Sequence, residues 1–309
     1  MADTYRLYGL TVACDRPIPA AAAANGDPDV VIRAGGRAPV PDDVPAGRVL
    51  AALVDDDGRR FRTIVEAPDG SVVVRFHGLA DAVIAPDLAT VTYALAPDTD
   101  VGIVDVLVSG VVLSVLLMLR GHSVLHGSAV DVDGRALGIV GAAGMGKSTL
   151  ASLLCAPGAR ATTLICDDVL RVDLSPTPVC YRGAAETRLR EAARTVAEPG
   201  TARRTADERL AVRLPAGTTD PIPLGGLLVP APDREHDTVL ARPVNRMDAL
   251  MLLLSFPRIA GWTDPATTAA QFAFLGALVE QVPVHLVHVP WGPPFRAGLG
   301  EEVLAALGW

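Results

Sequence analysis

Up to about residue 100 the apolar residues come in short, strand-length runs. Val30-Val31-Ile32, Arg60 to Val65 and Ser71 to Phe76 are bounded by Gly, Pro and Asp clusters and read as strands. The run Ala20 to Ala24, followed by Asn25-Gly26-Asp27-Pro28, reads as a loop or a short helix end. From Asp105 the texture changes. Val106 to Leu119 is the most apolar stretch, 14 residues with Asp105 before it, Arg120-Gly121 after it, and Ser109, Gly110 and Ser114 inside it. A bilayer-crossing helix needs about 20 apolar residues. The acid in front, the base behind and the glycine beyond are helix-boundary signals, so the pattern predicts a buried core helix.

A strand is predicted from about Ser123 to Val132, then a tight Asp133-Gly134 turn and a strand to Val140. A glycine-rich loop follows, then a helix from Lys147 to about Ala156 broken by Pro157-Gly158, and a buried strand from Ala161 to Cys166. That strand closes in Asp167-Asp168. Strand, glycine-rich loop, helix and a second strand tipped with carboxylate make a nucleotide-binding α/β core. Tyr181 to Pro215 is polar and arginine-rich, with Arg188, Arg190, Arg203, Arg204 and Arg209. Helices are expected at Met247 to Phe256 and Pro265 to Val279, and a strand from Val282 to Val289. The chain contains no internal repeat. It divides into a β-rich lobe over 1–104, for packing or partner recognition, and an α/β domain over 105–309.

At 309 residues, half of them hydrophobic, the chain can bury a large core. The net charge of −8 leaves no basic surface for a long polyanion, so nucleic acid is disfavoured as main partner. A small phosphorylated ligand needs only local positive charge. Cys14, Cys155, Cys166 and Cys180 lie far apart without metal-ligand spacing, as reduced thiols of a cytoplasmic protein do. The start, Met1 to Arg6, has no basic stretch followed by an apolar run, so no secretory signal is expected. No membrane association is expected either, and a homo-oligomer remains open.

One position changes this picture. Of 27 basic residues a single one is lysine, Lys147, and it sits in Gly141-Ala142-Ala143-Gly144-Met145-Gly146-Lys147-Ser148-Thr149. The segment matches GxxxxGK[ST] in full. Its glycines let backbone N–H groups turn toward phosphate oxygens, and the helix start behind it adds a positive dipole end. Lys147 would reach the β- and γ-phosphates of ATP, and Ser148 would ligate Mg²⁺. An ammonium on a thin stem can lie along a phosphate chain, where arginine's planar fork cannot.

Asp167 and Asp168 supply carboxylates for a metal shell and for the proton of an acceptor hydroxyl. Adjacent strand residues point to opposite faces, so one faces the metal and the other the acceptor. If Asp133-Gly134 is a two-residue hairpin loop, Val132 pairs with Arg135 and His126 falls opposite Gly141. That brings His126 to the glycine-rich loop in a catalytic or phosphate-sensing role. The transferring phosphoryl also needs an arginine, with Arg188, Arg204 and Arg209 as candidates. Asn245-Arg-Met-Asp248 is explained as a helix cap with an acid in the first turn. His285 and His288 face opposite sides of their strand, and Trp291-Gly-Pro-Pro-Phe295 is a rigid turn packing an aromatic.

Leu125-His-Gly-Ser128, the loop that follows and the strand closing in Asp167-Asp168 resemble the HPr kinase/phosphorylase group. Its relatives include kinase-like proteins of peptide-modification clusters and, more distantly, ATP-dependent phosphoenolpyruvate carboxykinase. The resemblance covers about Gly121 to Asp173, and more loosely the opening Tyr5-Arg-Leu-Tyr-Gly9. It implies a P-loop kinase core with an N-terminal β-rich lobe, and nucleotide binding by Gly141, Gly144, Gly146 and Lys147. It implies Mg²⁺ at Ser148 and Asp168, and acid/base work at Asp167 and Asp168 assisted by His126. Thr149 stands where such kinases commonly carry Glu, and their C-terminal substrate-docking signature is not found. The implied activity is transfer of the γ-phosphoryl of ATP to a hydroxyl of a peptide, a protein or a small metabolite. A nucleotide-binding regulatory or scaffold protein without transfer is the alternative.

Overall fold

Strand-length alternation in the first hundred residues becomes one sheet. In the computed structural model, which describes residues 2–55, 57–156, 160, 162–197 and 202–309, nine strands build it. They are β1 (Asp3–Leu7), β2 (Leu10–Cys14), β3 (Ala22–Ala23), β4 (Val30–Arg37), β5 (Arg48–Val54), β6 (Arg60–Glu66), β7 (Val72–Phe76), β8 (Ala80–Ile84) and β9 (Thr90–Leu95). Their order is β3-β1-β2-β4-β9-β8-β7-β6-β5, antiparallel except where β4 joins β2 and β9. On β7, β8 and β9 every second residue is buried, among them Val72, Val74, Phe76, Ala82, Ile84, Val91 and Tyr93, as a half-covered sheet requires. The alanine run is not a loop or helix end: Ala22 and Ala23 pair with Arg6 and Tyr5 as an edge strand.

The apolar stretch after Asp105 is helical, but not one regular helix. α1 (Ile103–Leu107) passes into a π-helical turn at Val108–Val112 and then α2 (Leu113–Leu119). Ser109 Oγ donates to the Asp105 carbonyl and Ser114 Oγ to the Gly110 carbonyl, 2.7 Å for the latter. Such hydroxyl bonds to helix carbonyls loosen the regular ladder. No helix among the described residues is long and apolar enough to cross a membrane.

The chain falls into two compact units, Met1–His122 with Ile259–Gln271, and Ser123–Arg258 with Phe272–Trp309. The boundary expected between 104 and 105 therefore moves to His122, because the 103–119 helix groups with the first sheet. Arg120 illustrates this, donating to the carbonyls of Leu88 and Asp29 at 2.6 and 2.8 Å.

The second unit is a mixed α/β layer. Its strands are β10 (Ser123–Leu125), β11 (Gly127–Val132), β12 (Arg135–Val140), β13 (Thr162–Cys166), β14 (Leu170–Asp173), β15 (Val179–Cys180), β16 (Glu186–Leu189), β17 (Ala202–Arg204), β18 (Leu210–Arg213), β19 (Ile222–Asp233), β20 (Leu240–Pro243) and β21 (Val284–Pro290). Its helices are α3 (Lys147–Leu154), α4 (Arg246–Leu254), the later part of α5 (Pro265–Gln281) and α6 (Leu299–Leu307). β12, β19 and β21 run parallel, and Val130, Leu137, Ile139, Leu228 and Val287 form a core with Leu150, Leu154, Val303 and Leu304 of α3 and α6. The polar segment 181–215, for which no elements were foreseen, folds as a small sheet, β16-β18-β17, over Leu189, Ala193, Leu210 and Val212. The expected helix break at Pro157-Gly158 and the strand residue Ala161 lie outside the described residues.

Asp133 and Gly134 both take positive φ, 51° and 82°, as a two-residue hairpin turn of the favoured hand demands. Val132 accordingly pairs with Arg135 and the ladder runs without a slip to Gly127 opposite Val140. β13 lies antiparallel on the other side of β11. β12 and β13 therefore end at the same edge, and β11 begins there. The glycine-rich loop, Asp167-Asp168 and His126 all leave the sheet at that edge.

Candidate active site

The ladder continues to the site: Gly141 N–H points at the His126 carbonyl at 3.5 Å, the pairing the hairpin register predicts. The expected strand from Ser123 to Val132 is interrupted at His126, where the chain leaves the β10–β14 pairing for the β11 ladders. Next comes the loop. Gly144 and Gly146 have φ of 90° and 84°, open only to residues without a Cβ or nearly so. Ala143 and Gly144 form its exposed tip, while Lys147 and Thr149 are buried. Ala142 N–H contacts Met145 Sδ at 3.0 Å.

Lys147 opens α3 and turns its ammonium back into the loop, donating to the Gly141 and Ala142 carbonyls at 2.9 and 3.0 Å. Burial lowers its pKa to about 8, against the opposing pull of Asp167 and Asp168. A buried ammonium bonded only to carbonyls gains from any anion brought to it.

The two aspartates part company. Asp167 Oδ1 accepts from Ser148 Oγ at 2.9 Å and from Ser128 Oγ at 2.6 Å, and its Oδ2 accepts from the Arg188 backbone N–H at 3.1 Å. Asp168 lies on left-handed backbone, φ 70°, a conformation Asp tolerates, and its carboxylate turns elsewhere. Its Oδ1 is 3.4 Å from His126 Nε2, and its Oδ2 is 3.3 Å from Arg188 and 2.8 Å from Arg258. Burial favours the neutral acid, but Arg258, His126 and Arg188 outweigh it and hold Asp168 well below the usual carboxylate range. The two carboxylates face different partners, but the pairing differs from the expected one. Ser148 is joined to Asp167, not to Asp168, because the β13 strand has ended and Asp168 reverses its backbone.

Of the arginine candidates, Arg188 is in the site, bonded to both aspartates through backbone and side chain. Arg209 pairs with Asp207 and weighs electrostatically on Lys147. Arg204 is exposed and pairs with Glu191 instead. Three participants went unforeseen. Ser128 stands beside Asp167 because Ala129 pairs with Cys166 in the β11–β13 ladder, a register hidden by a bulge at the next step. Arg258 is brought in by a bridge between Leu125 and Pro257, a contact no local pattern announces. Trp291, expected only to pack an aromatic, does meet Phe295 edge-on at 5.1 Å, but it also covers the loop. A Cβ built on Gly146 would lie 2.2 Å from its ring. Asn245 does cap α4, accepting from Asp248 N–H at 3.0 Å, which accounts for the Asn-Arg-Met-Asp pattern.

No group of three or more His, Cys, Asp or Glu among the described residues is arranged to hold a metal ion. Ser148 and Asp167 offer two hard oxygen donors side by side. That set fits a magnesium ion, which commonly takes one or two protein oxygens and fills its shell from substrate phosphates and water.

No family model matches the chain, and no curated protein matches it. Among solved structures it is similar to the Hpr(Ser) kinase/phosphatase from Coxiella burnetii, at 12% identity over 60% of this chain and 94% of that chain, with a TM-score of 0.30. At that level of likeness, function has to be read from the site's own residues.

Proposed function

We propose that the protein is an ATP- and Mg²⁺-dependent phosphotransferase that moves the γ-phosphoryl group to a hydroxyl of a peptide, a protein or a small molecule. One observation carries this reading. A glycine-rich loop with a buried lysine adjoins two consecutive carboxylates, one bonded to the loop serine and the other gathered with a histidine and two arginines. Ser148 and Asp167 would hold the magnesium ion, which supplies charge neutralisation for the phosphates. Lys147 trades its carbonyl partners for phosphate oxygens. Arg188 and Arg258 serve the transferring group, and Arg258 has a buried Nε without a hydrogen-bond partner among the described residues.

Asp168 takes the acceptor proton. With both arginines bound to it, Asp168 is a weak base. An arriving γ-phosphoryl group competes for those arginines, and as they turn to it the carboxylate recovers basicity. His126 remains as its partner. The proton acceptor therefore forms only when the phosphoryl group is in place.

A nucleotide-binding protein without transfer is favoured only by the ion pairs already satisfying Asp168. Labelled ATP with Mg²⁺ and a panel of hydroxyl acceptors, including peptides encoded beside the gene, separates the two. Labelled product that disappears in Lys147→Ala and Asp168→Asn supports transfer. Asp167→Asn should instead raise the Mg²⁺ requirement by about tenfold or more, as loss of a metal ligand does. Tight ATP binding with no labelled acceptor would leave the scaffold reading in possession.

A further inference from the structure

The exposed tip of the glycine-rich loop has a neighbour that the proposed mechanism leaves unused. Arg190 follows β16 at the entry to a 3-10 turn, Glu191–Val196, and its guanidinium stands over Gly144. A Cβ built on Gly144 would be 3.8 and 3.9 Å from its two terminal nitrogens. The surrounding arginines are neutralised: Arg188 by Asp168, Arg194 and Arg204 by Glu191, Arg203 by Glu186, Arg209 by Asp207. Arg190 and Arg213 have no carboxylate partner among the described residues, and of these Arg190 is the one at the loop. An exposed guanidinium with no carboxylate partner among the described residues, lying close to the loop's tip, is suited to bidentate contact with phosphate oxygens.

We propose that Arg190 is a catalytic residue of the phosphoryl transfer described above, binding the terminal phosphates of ATP from the loop's tip while Lys147 binds them from its base. The inference rests on the phosphotransfer reading and assigns a further cation of the phosphate chain, beside Lys147, Arg188 and Arg258. In the step, the bond between the γ-phosphorus and the β,γ-bridging oxygen breaks and its electron pair stays with ADP. The acceptor oxygen forms the new bond to phosphorus, and its proton passes to Asp168. Arg190 exchanges no proton. It stabilises charge gathering on the bridging and γ oxygens as the bond breaks.

The test compares wild type, Arg190→Ala and Arg190→Lys by ATP and ADP affinity and by single-turnover transfer to whichever acceptor the panel yields. Arg190→Ala should weaken ATP about tenfold, leave ADP within about threefold, and slow transfer by roughly a hundredfold or more. Arg190→Lys should recover only part of the rate, since a point charge cannot replace the fork. The exposed position means that both variants keep the wild-type melting temperature. Wild type that binds neither nucleotide overturns the phosphotransfer reading itself. Wild type that binds and transfers, with Arg190→Ala matching it in rate and in ATP-over-ADP preference, overturns the assignment of Arg190 alone.

Discussion

The two units place charge differently. In the first, several charged side chains serve neighbours along the ladder or their own turns, and those that reach further, such as Arg120 and Arg48, do so singly. Arg75 grips Asp81 across β7–β8, Arg48 grips Glu66 across β5–β6, and Asp69 and Asp87 fasten the turns they stand in. In the second, Lys147, Asp167, Asp168, Arg188, Arg258 and His126 come from well-separated segments and meet at one sheet edge. Ladder pairs at a surface contribute about 0.2–1 kcal/mol each and cost little to assemble. Converging charges carry a desolvation penalty, and the fall of the Lys147 pKa to about 8 is its direct mark. The first unit demonstrates that this chain can build a large sheet without gathering its charges at one point. The convergence in the second is therefore better explained by what it binds than by what it stabilises.

Glycine gives the strongest way to break that comparison. Gly36 in the first unit and Gly146 in the second both have positive φ, 97° and 84°. A Cβ on Gly36 meets nothing within 4 Å, whereas on Gly146 it meets the Trp291 ring at 2.2 Å. Gly36→Ala should cost about 1–2 kcal/mol of backbone strain and leave nucleotide affinity unchanged. Gly146→Ala adds an overpacking cost of about 1–3 kcal/mol and displaces the loop's last turn before Lys147. Its nucleotide affinity should fall by about a hundredfold or more, read by titration calorimetry alongside thermal melting. Equal affinity in the two variants would mean that the loop is not where the nucleotide binds.

What could be read beforehand follows from how local the cause was. The Asp133-Gly134 turn fixes a register over a few residues, so the approach of His126 to Gly141 was legible, as was the cap at Asn245. The β-rich character of the first hundred residues was legible for the same reason. Arg258 was not, because its place depends on a bridge between residues more than a hundred apart. Nor was the pairing of Ser148 with Asp167, since strand alternation stops at Cys166 and Asp168 takes a left-handed turn that no neighbouring glycine announces. The small sheet of 186–213 escaped because its strands have four residues or fewer and each carries at least one arginine.

Titration sharpens the contrast by a smaller margin. The folded pKa of Lys147, about 8, lies below its ordinary value of 10.5. Between those values the unfolded chain holds more protons at this position, so this group makes stability rise with pH across that window. Phosphate binding works in the opposite sense, because anionic oxygens favour the ammonium. Nucleotide binding above pH 8 should therefore take up a proton, and affinity should weaken by up to about tenfold per pH unit until the bound-state pKa is reached. Calorimetry in two buffers of different ionisation enthalpy counts that proton. In Lys147→Met the uptake should vanish; its persistence would place the titrating group elsewhere.

Arg204 predicts the smallest effect and tests the comparison from the other side. It belongs to the arginine-rich segment of the second unit, yet its surroundings are like those of the first. Its side chain is 60% exposed and reaches Glu191, 51% exposed, at 3.1 Å. Such a pair is worth less than about 1 kcal/mol, and salt screens it. Arg204→Ala should therefore melt within a degree or two of wild type and transfer phosphate within about twofold of its rate. A tenfold loss of transfer with unchanged melting would mean that β17 moves onto the site when substrate binds. Membership of the converging group would then be decided by the bound state, and the division between local pairs and site charges would have to be redrawn around that motion.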